Sequence, residues 1–362
     1  MLRSFSMALA VGVPAGMLCA WLRSPLPWLI GPLVACAIAS GAGLPLRGPL
    51  VARHAGQWAI GATLGLYFTP EVVGRLAMYA GPIFSGIAWA VLVGLGCAWA
   101  LRRFADADPA TAFFAGAVGA ASEMALQGER NGGRVETIAA AHSLRIMMVV
   151  IILPFSYRWL DIRGSDLYQP SAAAVVPTAL LLLVAVTIAG ALLMKAARLP
   201  NAWVIGPLLA SAALSASGHA GTAMPAWVVN SGQVLIGVSL GTRFAPGFFR
   251  RAPRILSVVF ASTLVAIGAS ALFGLLLSRL SGISPATLVL ATAPGGVAEM
   301  SLTAKVLKLG VPIVTVFHVT RMAALVLLLG SVYRWFAKRR GWPHDLRPAA
   351  RRDGGGDRDG DD

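Results

Sequence analysis

The sequence predicts an all-α polytopic membrane protein built from two homologous repeats of about five to six transmembrane or re-entrant helices each. Three observations carry this expectation. The 362 residues are 57% hydrophobic and only 12% charged, with a mean hydropathy of +0.73, whereas a soluble domain carries about 25% charged residues. The apolar residues fall in blocks of about 15 to 23, the length a helix needs to cross a hydrocarbon core of about 30 Å. Motifs of the first half return about 176 positions later.

The blocks run over residues 5–22, 28–44, 56–68, 78–101, 110–126 and 138–155, then over 176–194, 203–216, 228–240, 255–277, 286–302 and 311–332. Each is expected to be helical, because lipid offers backbone groups no partner and the strict alternation of a lipid-facing barrel is missing. The first block follows Arg3 without a small-residue cleavage site before polar sequence, and reads as an uncleaved first span. The block at 110–126 and its counterpart at 286–302 each admit two readings, a crossing or a re-entrant segment. An even number of crossings per half makes the repeats parallel and an odd number makes them inverted.

The repeat is explicit in the residues. WLIGPLVA at Trp28 returns as WVIGPLLA at Trp203, and GQWAIGATLG at Gly56 as GQVLIGVSLG at Gly232. GAASEM at Gly119 returns as GGVAEM at Gly295, His142 and Arg145 return as His318 and Arg321, and YRW at Tyr157 returns at Tyr333. The chain is therefore divided into repeat 1 (1–160), a linker (161–171), repeat 2 (172–340) and a disordered tail (341–362), which from Arg347 onward has no apolar residue able to anchor it.

The formal net charge of +15 would suggest nucleic acid in a soluble protein, but here the basic residues gather at segment ends. They mark orientation, with Arg250, Arg251, Arg254 and Arg334, Lys338, Arg339, Arg340 expected at cytoplasmic ends of a multi-pass protein of the bacterial inner membrane. No nucleic-acid partner is expected; the bilayer and an unidentified small-molecule substrate are, and the oligomeric state stays open. Cys19, Cys36 and Cys97 sit inside apolar blocks without ligand spacing, so they read as packing residues. With no GxSxG, P-loop or HExxH motif, the chain is read as a non-enzyme without metal or cofactor.

The candidate site is a matched polar set within the apolar blocks. Glu123 and Glu299 follow runs of small residues, and a carboxylate at membrane depth is expensive enough to mark function or a buried pair with an arginine. Arg145 and Arg321 stand three residues after His142 and His318, so each pair shares a helix face. Gly295 and Gly296 precede Glu299 where a helix break would free backbone amides, and Gln57 and Gln233 are the remaining matched polar residues. Such a set suits a small anion or a proton-coupled step. The pairs Gly31-Pro32 and Gly206-Pro207 interrupt short apolar segments, a pattern that points to a transport site or to plain proline kinks.

The W(L/V)IGPL and GQ..IG..LG blocks, with ATAPGGVAEM at Ala291 and H..TRM at His318, resemble the bacterial AbrB-duplication membrane family over roughly Leu9 to Trp335. The resemblance brings labels, regulator of gene expression or ammonia monooxygenase, and no reaction or substrate. Neither label has support in the residues: there is no soluble DNA-binding module and no cluster of metal ligands. The first copy departs from the motif, with Val118-Gly119-Ala120 in place of Pro-Gly-Gly. The expected function is a secondary transporter or permease of a small solute with its site at the repeat interface; the alternative is a membrane-bound regulator acting through a partner.

Overall fold

The structure is a computed structural model that describes residues 2–165, 170, 172, 174–244, 246–248 and 252–342. Arg250, Arg251 and the tail from Arg347 to Asp362 lie outside the described residues, as does part of the 161–171 linker.

The described regular structure is helical. The first half holds α1 (Leu2–Trp21), α2 (Pro27–Gly41), α3 (Leu50–Gly65), α4 (Pro70–Leu76), α5 (Ala80–Ala105), α6 (Pro109–Gly116), α7 (Ala121–Arg130) and α8 (Val135–Trp159). The second holds α9 (Pro177–Ala196), α10 (Ala202–Ala216), α11 (Ala226–Gly241), α12 (Pro253–Ser281), α13 (Pro285–Thr292), α14 (Val297–Val306) and α15 (Val311–Arg340). Proline opens many of these helices in the first turn, where its missing N–H has no partner to lose. Asp108 caps α6 by accepting from the Thr111 amide at 2.7 Å. Counterparts match in length: α1 and α9 have 20 residues, α2 and α10 have 15, α3 and α11 have 16, α6 and α13 have 8, and α7 and α14 have 10.

Six segments among the described residues are long and apolar enough to cross a membrane: α1, the 70–105 stretch through α5, α8, α9, α12 and α15. Their outward faces carry large apolar side chains, such as Phe84, Trp99, Leu181, Leu193, Val265 and Leu327, as a surface facing lipid does. The protein is a helical membrane protein.

The shorter helices α2, α3, α10 and α11 form the middle and interlock the halves, since α3 packs on α10 and α11 packs on α2. Glycine makes this close approach possible. A Cβ on Gly61 would run into the Val204 carbonyl, and one on Gly237 would lie 2.5 Å from the Leu29 carbonyl oxygen. The GQ..IG..LG motif is thus the seam between helices from different halves. Gly31 and Gly206 serve in the same way against α1 and α9, where an added Cβ would meet the Ala15 and Gly190 carbonyl oxygens at 2.5 Å. The Gly-Pro pairs are packing devices, and α2 and α10 run on through Pro32 and Pro207.

Each 110–126-type block is a re-entrant hairpin. The Arg134 amide donates to Thr111 Oγ1 at 2.7 Å, so the chain leaves α7 where it entered α6. The equivalent contact, from the Gly310 amide to Thr287 Oγ1 at 3.2 Å, closes the α13–α14 hairpin. With the chain entering and leaving each hairpin at one end, α5 and α8 run opposite to their counterparts α12 and α15, and the repeats are inverted. An ion pair confirms the direction: Arg254 at the start of α12 meets Asp106 at the end of α5 at 2.6 Å, so α12 starts where the first hairpin enters and ends where the second does. The Tyr157 hydroxyl, at the end of α8, donates to the Ala286 carbonyl at the mouth of the second hairpin.

Candidate functional site

Two broken helices, entering from opposite ends, bring their tips together. The breaks fall at 117–120 and 293–296, and residues Val118, Gly119 and Ala120 of one tip line the same cavity as Gly295, Gly296 and Val297 of the other. The cavity has a volume of about 80 Å³ and is also lined by Arg53, Gln57, Asn201, Glu299, His318 and Arg321. It lies at the pseudo-two-fold axis, which passes between the equivalent residues Gly56 and Gly232, where a Cβ on Gly56 would lie 2.6 Å from the Gly232 carbonyl oxygen.

A helix that stops inside the membrane leaves carbonyls without partners, and the negative end of its dipole points at them. Arg321 supplies the remedy for α13. Its Nη1 donates to the Ala293 carbonyl at 2.7 Å and its Nη2 to the Gly295 carbonyl at 2.5 Å. Arg145 does the same for α6, with 2.7 Å bonds to the Ala117 and Ala115 carbonyls. His142 Nε2 bonds the Phe114 carbonyl at 2.9 Å and His318 Nε2 the Leu290 carbonyl at 3.1 Å. Arg321 Nη2 also lies 2.9 Å from His318 Nδ1. A guanidinium can only donate and a carbonyl can only accept, so His318 is the neutral tautomer with its hydrogen on Nε2. The His-x-x-Arg motif therefore holds each broken helix in place, and in this arrangement neither ring nitrogen of His318 is free to pass a proton.

The glutamates are not paired with these arginines. The ion pairs among the described residues are Arg134–Asp108, Arg163–Asp161 and Arg254–Asp106. Glu299 stands in the first turn of α14, and its carboxylate turns back on its own amide and beside Gly296, where an added Cβ would strike Oε2. The charges that act on it are those of Arg53 and Arg243. In the first copy Ala120 occupies the position of Gly296, so a methyl group fills the equivalent space, and Glu123 lines none of the described cavities. Gln57 reaches the cavity and its Nε2 donates to Asn201 Oδ1 at 3.3 Å, whereas Gln233 is buried away from it beside Asn230 at 3.5 Å. Of the ten candidate residues, Glu299, His318, Arg321, Gly295, Gly296 and Gln57 line one cavity, and Glu123, His142, Arg145 and Gln233 do not.

Three polar residues in and beside the cavity were not singled out by the repeat: Arg53 and Asn201, which line it, and Arg243, which lines its two neighbours. Their counterparts at the 175 or 176 spacing are Val229, Leu26 and Tyr67, so a search for matched polar pairs passes over them. The available signal was Arg53 four residues before Gln57, on one face of an apolar stretch. Two larger cavities, of about 440 and 400 Å³, adjoin this one, sharing Ala121 and Ser122 in the first case and Arg53 in the second. Arg243 lines both. All of these approaches lie at the end of the molecule where α3 begins and α11 finishes.

The chain matches the family described as "Transition state regulatory protein AbrB" over residues 28–337. The chain belongs to the AbrB family. Two curated relatives cover much of it. The "Uncharacterized protein YhjN" of Bacillus subtilis (strain 168) is 28% identical over 297 residues, 77% of each chain. The "Putative regulator AbrB" of Escherichia coli (strain K12) is 25% identical over 348 residues, 93% of this chain and 96% of the relative. The family match spans both hairpins and both His-x-x-Arg motifs of this AbrB-family chain. Among its described residues no three His, Cys, Asp or Glu side chains come together as metal ligands.

Proposed function

We propose that this AbrB-family protein is a secondary transporter of a small solute, with its site between the two hairpin tips. The observation that carries the reading is the meeting of two inverted, broken hairpins at one buried polar cavity near the axis. Transporters use this arrangement because broken helices expose backbone groups to a substrate at mid-depth. An inverted pair also gives two related shapes, each open to one side, by exchanging the roles of the halves.

The proposed location is the bacterial inner membrane with both termini in the cytoplasm. Supporting this, Arg102, Arg103, Arg134, Arg254 and Lys338 to Arg340 share the end at which α1 begins and α5 finishes, and positive loops stay inside. On that orientation the cavities around Arg53 and Arg243 face the cytoplasm.

The test is flux of small metabolites, ammonium included, into sealed vesicles bearing the purified protein. Glu299→Gln should lose the flux while keeping the yield of folded protein; unchanged flux removes the carboxylate from the path. The name of the Escherichia coli relative supports a second reading, a membrane-bound regulator that acts through a partner. Deleting residues 347–362 separates the two, since a permease keeps its flux and a regulator that docks its partner through the tail loses its output.

A further inference from the structure

We infer that the cavity between the hairpin tips binds a small oxyanion, and that this oxyanion competes with the Glu299 carboxylate for the same donors. The inference names the substrate class of the transporter reading and rests on it.

The donors come from both halves. Helix α14 starts at Val297 and α7 at Ala121, both starts line the cavity, and the first amides of each helix have no intrahelical acceptor. Two positive dipole ends thus face one space, a geometry suited to an anion. An independent observation points the same way. Arg321 is 5% exposed and lines the cavity, and while its two terminal nitrogens are committed to carbonyls, its Nε has no hydrogen-bond partner. Arg53 lines the same wall and has no ion pair or side-chain hydrogen bond among the described residues. Arg243, whose bond to Ser143 Oγ is a long 3.4 Å, stands where the two adjoining cavities meet.

Against the Arg53 and Arg321 guanidiniums the cavity sets one carboxylate, with Arg243 just outside, and Glu299 places it over the start of its own helix, as a first-turn acid does. That position is where an incoming oxyanion would find the free amides. A cation would meet net repulsion here, and a neutral solute would leave the charged donors without acceptors. Size is also restrictive: at about 80 Å³ the cavity is well below the several hundred Å³ of a pocket for a larger metabolite and suits a small ion. The shared chemistry is an oxygen-bearing anion, and carboxylate and phosphate are told apart by the test.

The test measures binding apart from flux. The purified full chain, in detergent, is titrated calorimetrically with acetate, succinate and inorganic phosphate, with ammonium as the cation control. The expected result is saturable binding of one oxyanion, with Glu299→Gln binding it more tightly by about tenfold, the size of one charge-assisted contact, and Arg53→Gln binding it about tenfold more weakly. Arg53 makes no ion pair or side-chain hydrogen bond among the described residues, so a monodisperse Arg53→Gln protein is expected and is checked by gel filtration. No oxyanion binding by folded wild type and Glu299→Gln alike overturns the inference. Binding that Glu299→Gln leaves unchanged or weakens overturns the competition. Oxyanion binding without flux in vesicles upholds the inference and overturns the transporter reading; flux of ammonium without oxyanion binding does the reverse.

Discussion

Replacing Arg321 by methionine tests the claim that this side chain holds the second hairpin open. The substitution keeps the length and apolar stem but removes the donors to the Ala293 and Gly295 carbonyls and to His318 Nδ1. Neutral hydrogen bonds between membrane helices average only about 0.6 kcal/mol, which would make the change minor. These bonds are charge-assisted and their loss strands buried carbonyls at a helix end, for which about 1.5–3 kcal/mol each is the better guide. Two such bonds give about 3–6 kcal/mol, enough to lower the apparent melting temperature of the detergent-purified protein by roughly 5 °C or more. Arg321→Lys should fall about midway, because an ammonium reaches one carbonyl and has no fork. The assay is thermal unfolding followed by gel filtration of heated samples. An Arg321→Met protein melting within roughly 1 °C of wild type would refute the reasoning and return Arg321 to a ligand role alone.

Gly61→Val should cost about 1–3 kcal/mol by forcing α3 off the Val204 carbonyl, whereas Gly268→Ala, which meets open space, should gain about 0.5–1 kcal/mol from helix propensity; yields of monodisperse protein and melting temperatures read both. Single cysteines at Asp106 and Gly341 in a cysteine-free background should react with an impermeant thiol reagent from one side of the membrane, and cysteines at Gly164 and Lys308 from the other; any other grouping breaks the inverted topology. Gly296→Ala should push the Glu299 carboxylate off its helix start and strengthen oxyanion binding in the same direction as Glu299→Gln. Calorimetry showing no change in affinity would mean that the carboxylate does not rest there.

Much of the fold was legible in the residues because membrane helices write their length directly in apolar blocks, and the two copies checked each other. The break at Ala293-Pro294-Gly295-Gly296 was also legible, since proline and paired glycines end a helix. The number of crossings was not, because it turns on the Thr111 and Thr287 hydroxyls, which close each hairpin against the start of the next helix. At the site, matching polar residues between copies put Glu299, His318 and Arg321 first, since the second hairpin keeps the Pro-Gly-Gly break, but carried Glu123, His142 and Arg145 along as their symmetric partners. The unmatched Arg53, Asn201 and Arg243 escaped for the same reason. The Gly-Pro pairs admitted two readings, and the structure shows the close helix contact at Gly31 and Gly206 that a kink alone does not reveal.

The alanine at 120 and the glycine at 296 differ by one methyl group, and that difference decides which hairpin can fold an acid back over its own helix start. Two identical chains paired across an axis are barred from such a division, because every substitution arises on both sides at once. Joining the copies in one gene lifts that bar. One hairpin is then free to place its acid differently from its twin, and Ala120→Gly combined with Gly296→Ala would be the exchange that asks the twins to trade places.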